Sequence, residues 1–328
     1  MISIREVAKL AGVSPATVSR VMNGTAHVSE SKKERVLAVI QETGFKPNEV
    51  ARMLYKKRSN LIGLIVPNIE NPYFSEMAAS IEEAAYARGF SLTLCSSNDD
   101  EEKELSNIDL LSRMNADGIL LLTNSEELLK KAGDIHVPIV LLDREVHHES
   151  AVACLQSDNY QGGRLAVSYL LECGCRQPVC IRGPQDVSSG RERFRGYMDV
   201  CAEQGIEPLY LGDTYDYKNG LEIAEVLLDR YPEADGIIAA NDMVALSVYN
   251  ILTKRNIKVP EDIQLIGFDN IRLSGLVTPG ITTVAQPIGQ MGADAAKLII
   301  DHLEEKEISR KNIYPVSIVE RETTRRRK

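Results

Sequence analysis

The chain has 328 residues and a formal net charge of -9, and 44% of its residues are hydrophobic. Its mean hydropathy is -0.16. A chain of this length and composition can bury a full core, and about two to three globular domains are expected. No run of about 18 apolar residues occurs, and residues 1–20 are charged rather than apolar. Neither a membrane span nor an export signal is therefore predicted, and we expect a cytoplasmic protein.

The charge is divided unevenly along the chain. Residues 1–60 hold eleven Lys or Arg against five Asp or Glu, a balance of +6, so the remainder carries -15. A small basic module ahead of a larger acidic body is typical of a nucleic-acid reader with a separate sensing domain.

Two short helices are predicted at the amino terminus. Ser3 and Glu6 have capping-box spacing, and Gly12 is expected to end the first helix. Ser14 can cap a second helix whose first residue is Pro15, where the missing N–H costs nothing. Two helices joined by so short a turn have the form of a helix-turn-helix.

The second helix has a small polar face opposite its apolar one. Small side chains at the start of a helix allow it to enter the DNA major groove, and Arg20 can reach guanine O6 and N7 or a phosphate. The predicted contacts here are Ser14, Pro15, Ala16, Thr17, Ser19, Arg20 and Asn23. The alternative is a solvated face on an ordinary three-helix domain. A third helix, predicted from a capping box at 31–34 up to Gly44, completes a compact module and favours DNA binding.

The stretch "KPNEVARMLYKKRSN" adds a proline break at Pro47, a helix-capable segment from Asn48, and three basic residues at 56–58. So basic a linker is suited to phosphates. Through "VAKLAGVSPATVSRVMNG" and "FKPNEVARML" the chain resembles the LacI family of bacterial transcription regulators, and the resemblance covers essentially its whole length.

This resemblance implies that the segment after Pro47 is a hinge helix that folds on operator DNA. A leucine from each subunit then enters the minor groove, and Leu54 matches that position, with Asn48 as a further DNA contact. Such a wedge unstacks one base step and bends the duplex. The alternative for Leu54 is a core leucine of an ordinary linker helix. The expected boundaries are a helix-turn-helix domain at 1–46 and a hinge at 47–60.

From Leu61 onward, apolar runs alternate with helical stretches, as is typical of α/β folds with parallel sheets covered by helices. About 270 residues of this pattern predict two lobes, approximately 61–159 plus 290–318, and 160–289 plus the carboxyl-terminal segment. The runs are "LIGLIVP", "SLTLCSS", "DGILLLT", "PIVLLDR", "PVCIRGP", "DGIIAAND", "IQLIGFDN" and "ITTVAQP".

Polar and aromatic side chains follow these predicted strands. Open α/β sheets bind ligands beyond the carboxyl ends of their strands. Carboxylates, amides and guanidinium groups bind vicinal hydroxyls, and aromatic rings pack on the faces of a sugar. Each residue alone is as well explained as a strand-end cap or a structural ion pair, but their recurrence predicts a site for a small polyol. The set is Asn71, Tyr73, Phe74, Asp143, Arg144, Arg191, Tyr215, Asn241, Asp269 and Gln286.

This part also resembles the periplasmic sugar-binding proteins, in particular those that bind ribose. The matching segments are "NPYF", "DRE", "GRER", "TYD", "AAND", "GFDN" and "VAQP". The resemblance implies that all ten residues contact a pentose, D-ribose first and another pentose or pentose derivative second. Tyr73 and Tyr215 stand where phenylalanine is usual, and an extra hydroxyl can bind a water or alter which epimer fits.

Three other function classes fit parts of the sequence. An enzyme has little support, because no P-loop, dinucleotide fingerprint, HExxH or GxSxG motif occurs, and the five histidines lie at predicted surface or linker positions. The six cysteines lack zinc-site spacing, so we expect reduced thiols, no metal and no cofactor, with a Cys173–Cys175 pair as the weaker alternative. A sugar-transport protein would not need the basic module. A LacI-family catabolite regulator controlled by a phosphocarrier protein remains open.

The sequence thus predicts a repressor of a ribose utilisation operon, released from a palindromic operator by D-ribose or a related pentose. A homodimer is expected, since two-fold protein symmetry matches two-fold DNA symmetry. The tail "ERETTRRRK" lacks the apolar heptads that would join dimers into tetramers. The sign of the sugar response comes from the resemblance and not from the residues.

Overall fold

The computed structural model describes residues 2–23, 28–45, 58–131, 137–144 and 151–325. It divides into two compact units, Met1–Ser59 and Asn60–Lys328. The predicted hinge residues Asn48 and Leu54 lie outside the described residues.

The described part of the first unit contains three helices, α1 (Ile4–Ala11), α2 (Pro15–Asn23) and α3 (Glu30–Thr43). Ser3 and Glu6 form the predicted capping box, and Gly12, with φ +63°, ends α1 in the left-handed conformation that glycine adopts without strain. The small core of this unit comprises Val7, Ala8, Ala11, Val18, Val36 and Phe45.

Helix α3 begins earlier than the sequence pattern predicted. Its N-cap is Ser29, whose carbonyl accepts from the amides of Lys32 and Lys33 at 2.9 and 3.1 Å. Ser31 therefore lies inside the first turn, and the expected start at 31 was wrong by two residues. The three-residue spacing from Ser31 to Glu34 fits a capping box, whereas Ser29 has Lys32 at that distance, so the pattern favoured the wrong serine.

The second unit contains two six-stranded sheets, and the first has the order β11-β5-β4-β3-β1-β2 with every pair parallel. Its helices are α4 (Pro72–Ala87), α5 (Glu101–Arg113), α6 (Glu126–Lys131) and α11 (Ile288–Leu303). The strands are β1 (Leu61–Val66), β2 (Ser91–Ser96), β3 (Gly118–Leu121), β4 (Ile139–Leu142), β5 (Ala151–Ser157) and β11 (Lys311–Tyr314). We call this sheet and its helices lobe 1.

The second sheet has the order β12-β10-β9-β8-β6-β7 and is parallel except for the edge pair β10–β12. Its helices are α7 (Asn159–Glu172), α8 (Ser188–Gln204), α9 (Tyr217–Arg230) and α10 (Asp242–Lys254). The strands are β6 (Pro178–Ile181), β7 (Leu209–Leu211), β8 (Gly236–Ile238), β9 (Gln264–Asp269), β10 (Thr282–Ala285) and β12 (Ser317–Val319). We call this sheet and its helices lobe 2.

The chain crosses between the lobes three times. The crossings follow Ser157, precede Ile288 and lie between Tyr314 and Ser317. The expected last crossing at 318 would have assigned the first two residues of β12 to lobe 1, whereas β12 pairs with β10 of lobe 2. This architecture agrees with the predicted α/β class and its parallel sheets.

The interior of each lobe consists mainly of aliphatic side chains from both faces of its sheet. Ile62, Leu120 and Val140 are fully buried in lobe 1, and Leu265 and Ile266 in lobe 2. Among the described residues, none of the helices combines the length and the apolar character that crossing a bilayer requires.

Candidate functional site

The exposed face of α2 has the composition expected of a helix that approaches DNA. Ala16 and Arg20 are exposed, whereas Val18 is fully buried against the rest of the unit. Ser14 accepts a hydrogen bond from the Thr17 amide at 3.2 Å, and the two hydroxyls lie 2.9 Å apart. The first turn is thereby capped by its own side chains, and small groups precede the single guanidinium of α2.

Other predicted DNA contacts lie on the same helix. Pro15 is its exposed first residue, Ser19 is half-buried, and Asn23 is its last residue. On the polar face predicted for α2, Ala16 and Arg20 are thus accessible and Ser19 is accessible in part.

In lobe 1 the start of α4 carries the first group of predicted effector residues. Asn71 is the N-cap, and its side chain accepts from the Tyr73 amide at 3.0 Å. The rings of Tyr73 and Phe74 meet edge to face, with centroids 5.2 Å apart. The Tyr73 hydroxyl donates to Asp143 Oδ1 at 2.6 Å, which joins the helix to the end of β4.

Asp143 and Arg144 follow β4 and are both buried. Arg144 Nη1 donates to Asp99 Oδ1 at 2.5 Å, and the Asp99 side chain is 45% exposed. Arg144 Nε is buried without a hydrogen-bond partner in the described part of the chain. A buried donor without a partner is costly, so this guanidinium still has hydrogen-bonding capacity to offer.

In lobe 2 the residues at the ends of β9 and β10 converge. Asp269 Oδ1 accepts from Gln286 Nε2 at 2.7 Å, and Arg193 Nη2 lies 3.4 Å from the same oxygen. Gln286 Oε1 is buried with no partner among the residues that the structure describes. Burial raises the pKa of Asp269 to about 8, although Arg193 lowers it.

Arg193, and not the predicted Arg191, is the arginine of this group. Arg191 is exposed, and its Nη1 donates to the carbonyls of Gln185 and Asp186, both at 3.1 Å. The two arginines are two residues apart on α8, about 200° around the helix, so only one can face the sheet end. The structure therefore does not bring Arg191 together with the other predicted residues.

Hydrogen bonds and a cation–π contact fix the position of the Arg193 guanidinium. Its Nε donates to Asn159 Oδ1 and its Nη1 to the Ala240 carbonyl, each at 2.8 Å. Its Cζ lies 3.6 Å from the ring centroid of Phe268, a cation–π distance. A Cβ on Gly163 would lie 2.0 Å from the Arg193 carbonyl, so glycine there permits the close approach of α7 to α8.

Tyr215 and Asn241 complete the lobe 2 group. Asn241 caps α10 through the Val244 amide at 2.9 Å, and its Nδ2 donates to the Tyr215 carbonyl at 3.1 Å. The Tyr215 hydroxyl lies 3.2 Å from the Ser189 hydroxyl, and its ring centroid is 5.5 Å from the Arg193 Cζ.

The two groups face each other closely enough to interact electrostatically. Burial and Asp143 raise the pKa of Tyr73, Asp269 of lobe 2 raises it further, and Arg193 lowers it. We call the space bounded by these groups the effector cleft. It joins two carboxylates, two guanidinium groups and three aromatic rings, which is donor and acceptor chemistry for a polyhydroxylated ligand.

Asp242 supports the loop that carries Asp269, and sequence reasoning missed it. Its carboxylate accepts from the Ile271 amide at 3.0 Å, the Ser274 hydroxyl at 2.6 Å and the Thr283 hydroxyl at 2.7 Å. Asp269 has φ +110°, a strained value that surrounding contacts must maintain. Burial raises the pKa of Asp242 to about 6.

Glu104 is the second buried carboxylate that the sequence pattern did not single out. It accepts from the Thr123 hydroxyl at 2.7 Å, and burial raises its pKa while Arg144 lowers it. Its only sequence signal was a position inside an acidic run, which normally indicates a solvated face.

The lobes also touch beside the cleft. The Arg272 amide of lobe 2 donates to Glu76 Oε1 on α4 at 2.8 Å. Ile271, fully buried, packs in the lobe 1 core although it follows β9. The loop after Asp269 is thereby attached to the helix that carries Tyr73.

Two family descriptions match the chain. "Bacterial regulatory proteins, lacI family" matches residues 3–48, and "Periplasmic binding proteins and sugar binding domain of LacI family" matches residues 59–322. The chain belongs to the LacI family.

Relatives in this family span the whole chain. A ribose operon repressor of Halalkalibacterium halodurans is 37% identical, over 99% of this chain and 98% of the repressor. A ribose operon repressor of Bacillus subtilis is 35% identical, over 99% of each. The protein is therefore a DNA-binding transcriptional repressor of the LacI family with a sugar-binding type of sensor domain, and the enzyme alternative is excluded.

Solved structures agree with this fold. A lac repressor dimer bound to operator and an anti-inducer has a TM-score of 0.89 at 26% identity, over 98% of each chain. A regulator from Alkaliphilus metalliredigens complexed with D-xylulofuranose has a TM-score of 0.74 at 32% identity, over 81% of this chain and 99% of that one. A regulator from Enterococcus faecium with bound ribose has a TM-score of 0.74 at 28% identity, over 82% of this chain and 100% of that one.

Proposed function

We propose that this protein represses a pentose utilisation operon, with D-ribose or a related pentose as the effector that releases it from DNA. The observation that carries the proposal is the effector cleft, where Asp143 and Asp269 face each other from different lobes with an arginine beside each. A ligand with hydroxyls on both faces of a small ring fits donors and acceptors on both walls.

The relatives favour a five-carbon sugar. Two similar repressors are named for the ribose operon, and two similar sensor domains hold ribose and D-xylulofuranose. Arg193 takes the role that the sequence pattern gave to Arg191, as the lobe 2 guanidinium that binds a sugar hydroxyl. The other nine predicted residues keep their proposed role as cleft contacts.

The mechanism follows from a ligand that bridges two lobes. A sugar that binds both carboxylates stabilises one relative orientation of the lobes, and the hinge segments of a homodimer respond to that orientation. Coupling of this kind is typically about 1 to 3 kcal/mol, or about 5- to 150-fold in DNA affinity. We expect a homodimer on a palindromic operator in the cytoplasm, with the α2 face in each major-groove half-site and Leu54 in the minor groove.

The alternative is another effector. A different small ligand would use the same cleft. The relatives lend no support to control by a phosphocarrier protein, which needs a protein-binding surface instead.

The test has two parts. The first selects binding sites from randomised DNA with the full-length protein, with Arg20→Ala in parallel. We expect a palindromic consensus, and a flatter base preference at one half-site position for the variant. An identical consensus for both proteins would limit Arg20 to phosphate contacts.

The second part titrates D-ribose into the protein by calorimetry, alone and with the selected site bound. We expect saturable binding and weaker DNA affinity. Ribose binding without any change in DNA affinity would refute induction, and no binding would refute ribose as the effector.

A further inference from the structure

The two carboxylates of the effector cleft, Asp143 and Asp269, differ in the groups that already interact with them. Asp269 Oδ1 interacts with two nitrogen groups, the amide of Gln286 and the guanidinium of Arg193. Asp143 Oδ1 accepts instead from a phenol, the hydroxyl of Tyr73 at 2.6 Å. A phenylalanine at this position would lack the donor, so the contact depends on the tyrosine hydroxyl.

In this geometry the Tyr73 hydroxyl stays protonated and donates its hydrogen bond to Asp143. Tyr73 is 3% exposed and Asp143 is 6% exposed, so water does not compete freely for either group. Burial and the adjacent carboxylate raise the pKa of Tyr73 well above its usual value, which keeps the phenol protonated. A short hydrogen bond to a carboxylate is also among the stronger ones in proteins.

We propose that Tyr73 is a specificity-determining residue of the effector cleft, because its hydroxyl already donates to Asp143 Oδ1 and competes there with the second hydroxyl of a vicinal pair. The inference rests on the proposed function, since it concerns the sugar bound in the same cleft. The ligand class it favours is a pentose that presents a single hydroxyl to lobe 1, including deoxypentoses.

Deoxy analogues of D-ribose show whether Asp143 receives one sugar hydroxyl or a vicinal pair, because each analogue lacks one hydroxyl. Every vicinal pair of ring hydroxyls in D-ribose includes the hydroxyl at C2 or at C3. A carboxylate that receives a vicinal pair therefore loses a contact to 2-deoxy-D-ribose, to 3-deoxy-D-ribose or to both. A carboxylate on which the Tyr73 phenol competes with the second sugar hydroxyl loses less affinity.

The experiment compares three full-length proteins: wild type, Tyr73→Phe and Tyr314→Phe. Tyr314 donates to Asp294 Oδ2 at 2.9 Å in the same lobe and lies outside the cleft set. Tyr314→Phe therefore removes the same kind of tyrosine–aspartate hydrogen bond without changing the cleft. Calorimetry gives the affinities for D-ribose and for its 2-deoxy and 3-deoxy analogues, and thermal melting checks that each protein is folded.

We expect Tyr73→Phe to raise the preference for D-ribose over at least one deoxy analogue by about tenfold, the value of one hydrogen bond to a charged group. Tyr314→Phe should leave both preferences at the wild-type value. Equal preferences in wild type and Tyr73→Phe, with ribose still bound, would overturn this inference alone. If none of the three pentoses binds wild type or Tyr73→Phe, the pentose assignment and this inference both fall.

Discussion

The two walls of the effector cleft are built differently. On the lobe 2 wall, Arg193 has a partner for each of its three guanidinium nitrogens, and its side chain is 12% exposed. On the lobe 1 wall, Arg144 pairs with Asp99, whose side chain is 45% exposed, and its Nε has no partner in the described residues. The lobe 2 guanidinium is thus organised before the ligand arrives, whereas the lobe 1 guanidinium has a bond still to form.

This difference separates the residues that set sugar affinity from those that couple sugar binding to DNA binding. A preorganised wall binds without paying much conformational entropy. A wall whose donors are incompletely used gains contacts only when the ligand bridges the cleft, so its energy favours one lobe orientation over the other. We therefore expect lobe 2 substitutions to lower sugar affinity most, and lobe 1 substitutions to alter specificity and coupling.

The largest effect should come from Arg193→Ala. It removes the cation that favours the ionised form of Asp269, the form that accepts a sugar hydroxyl, and truncating one member of a buried pair costs up to about 3 to 5 kcal/mol. We expect at least about a 100-fold loss of ribose affinity by calorimetry, with specific DNA binding retained in gel shifts. Arg191→Ala is the matched comparison, and a smaller loss for Arg193→Ala than for Arg191→Ala would restore the sequence-based assignment.

Arg191 and Arg193 also show which kind of site residue the sequence alone does not identify. Asp143, Asp269 and Gln286 could be predicted because the carboxyl ends of parallel strands meet at one edge, whatever the helices do. Arg193 sits in a helix, where its direction depends on the rotation of α8 against α7. That rotation is fixed by contacts such as Gly163 against the Arg193 carbonyl, which no local pattern reveals.

The fold shows the same limit. The eight apolar runs correspond to eight of the twelve described strands; six of these are fully or largely apolar, and Ser and Thr make up half of β2 and β10. Three of the four missed strands, β7, β11 and β12, are sheet edges, and their half-exposed residues do not form an apolar run. β5 is interior, but it ends in polar residues, Gln156 and Ser157, that are buried all the same.

Asp242→Ala should give the next largest effect, on stability. It deprives two buried hydroxyls and one amide of their acceptor, at about 1 to 3 kcal/mol for each group that finds no replacement. We expect a loss of about 3 kcal/mol in urea unfolding, together with weaker ribose binding as the loop of Asp269 relaxes. Glu104→Ala is the lobe 1 comparison, with one short hydroxyl bond, from Thr123, and one long one, from Ser97 at 3.4 Å, to lose. An equal loss in both variants would contradict the greater preorganisation of lobe 2.

The pH dependence should be smaller and should also come from lobe 2. The raised pKa of Asp269, about 8, means that the folded, ligand-free protein holds this proton where an unfolded chain would not. Its contribution to stability is therefore fully present below pH 4 and is lost as the pH rises to about 8.

A sugar hydroxyl that donates to Asp269 favours the charged form, so ribose affinity should rise by about tenfold between pH 7 and pH 9. Asp269→Asn should abolish this rise. A flat profile in the wild type would show that Asp269 is already ionised in the free protein or does not accept from the ligand.

The smallest expected effect comes from breaking the hydrogen bond that joins the two lobes beside the cleft. Glu76→Ala removes the acceptor of the Arg272 amide, a partly exposed bond of about 1 kcal/mol at most. Because that bond joins the loop of Asp269 to the helix of Tyr73, its loss should change the coupling between ribose and DNA by up to about fivefold while ribose affinity changes less. Glu82→Ala, an exposed glutamate on the same helix, should leave the coupling as it is. If both variants behave alike, the lobes are held by Ile271 and its apolar neighbours, and the difference between the two walls lies in the cleft alone.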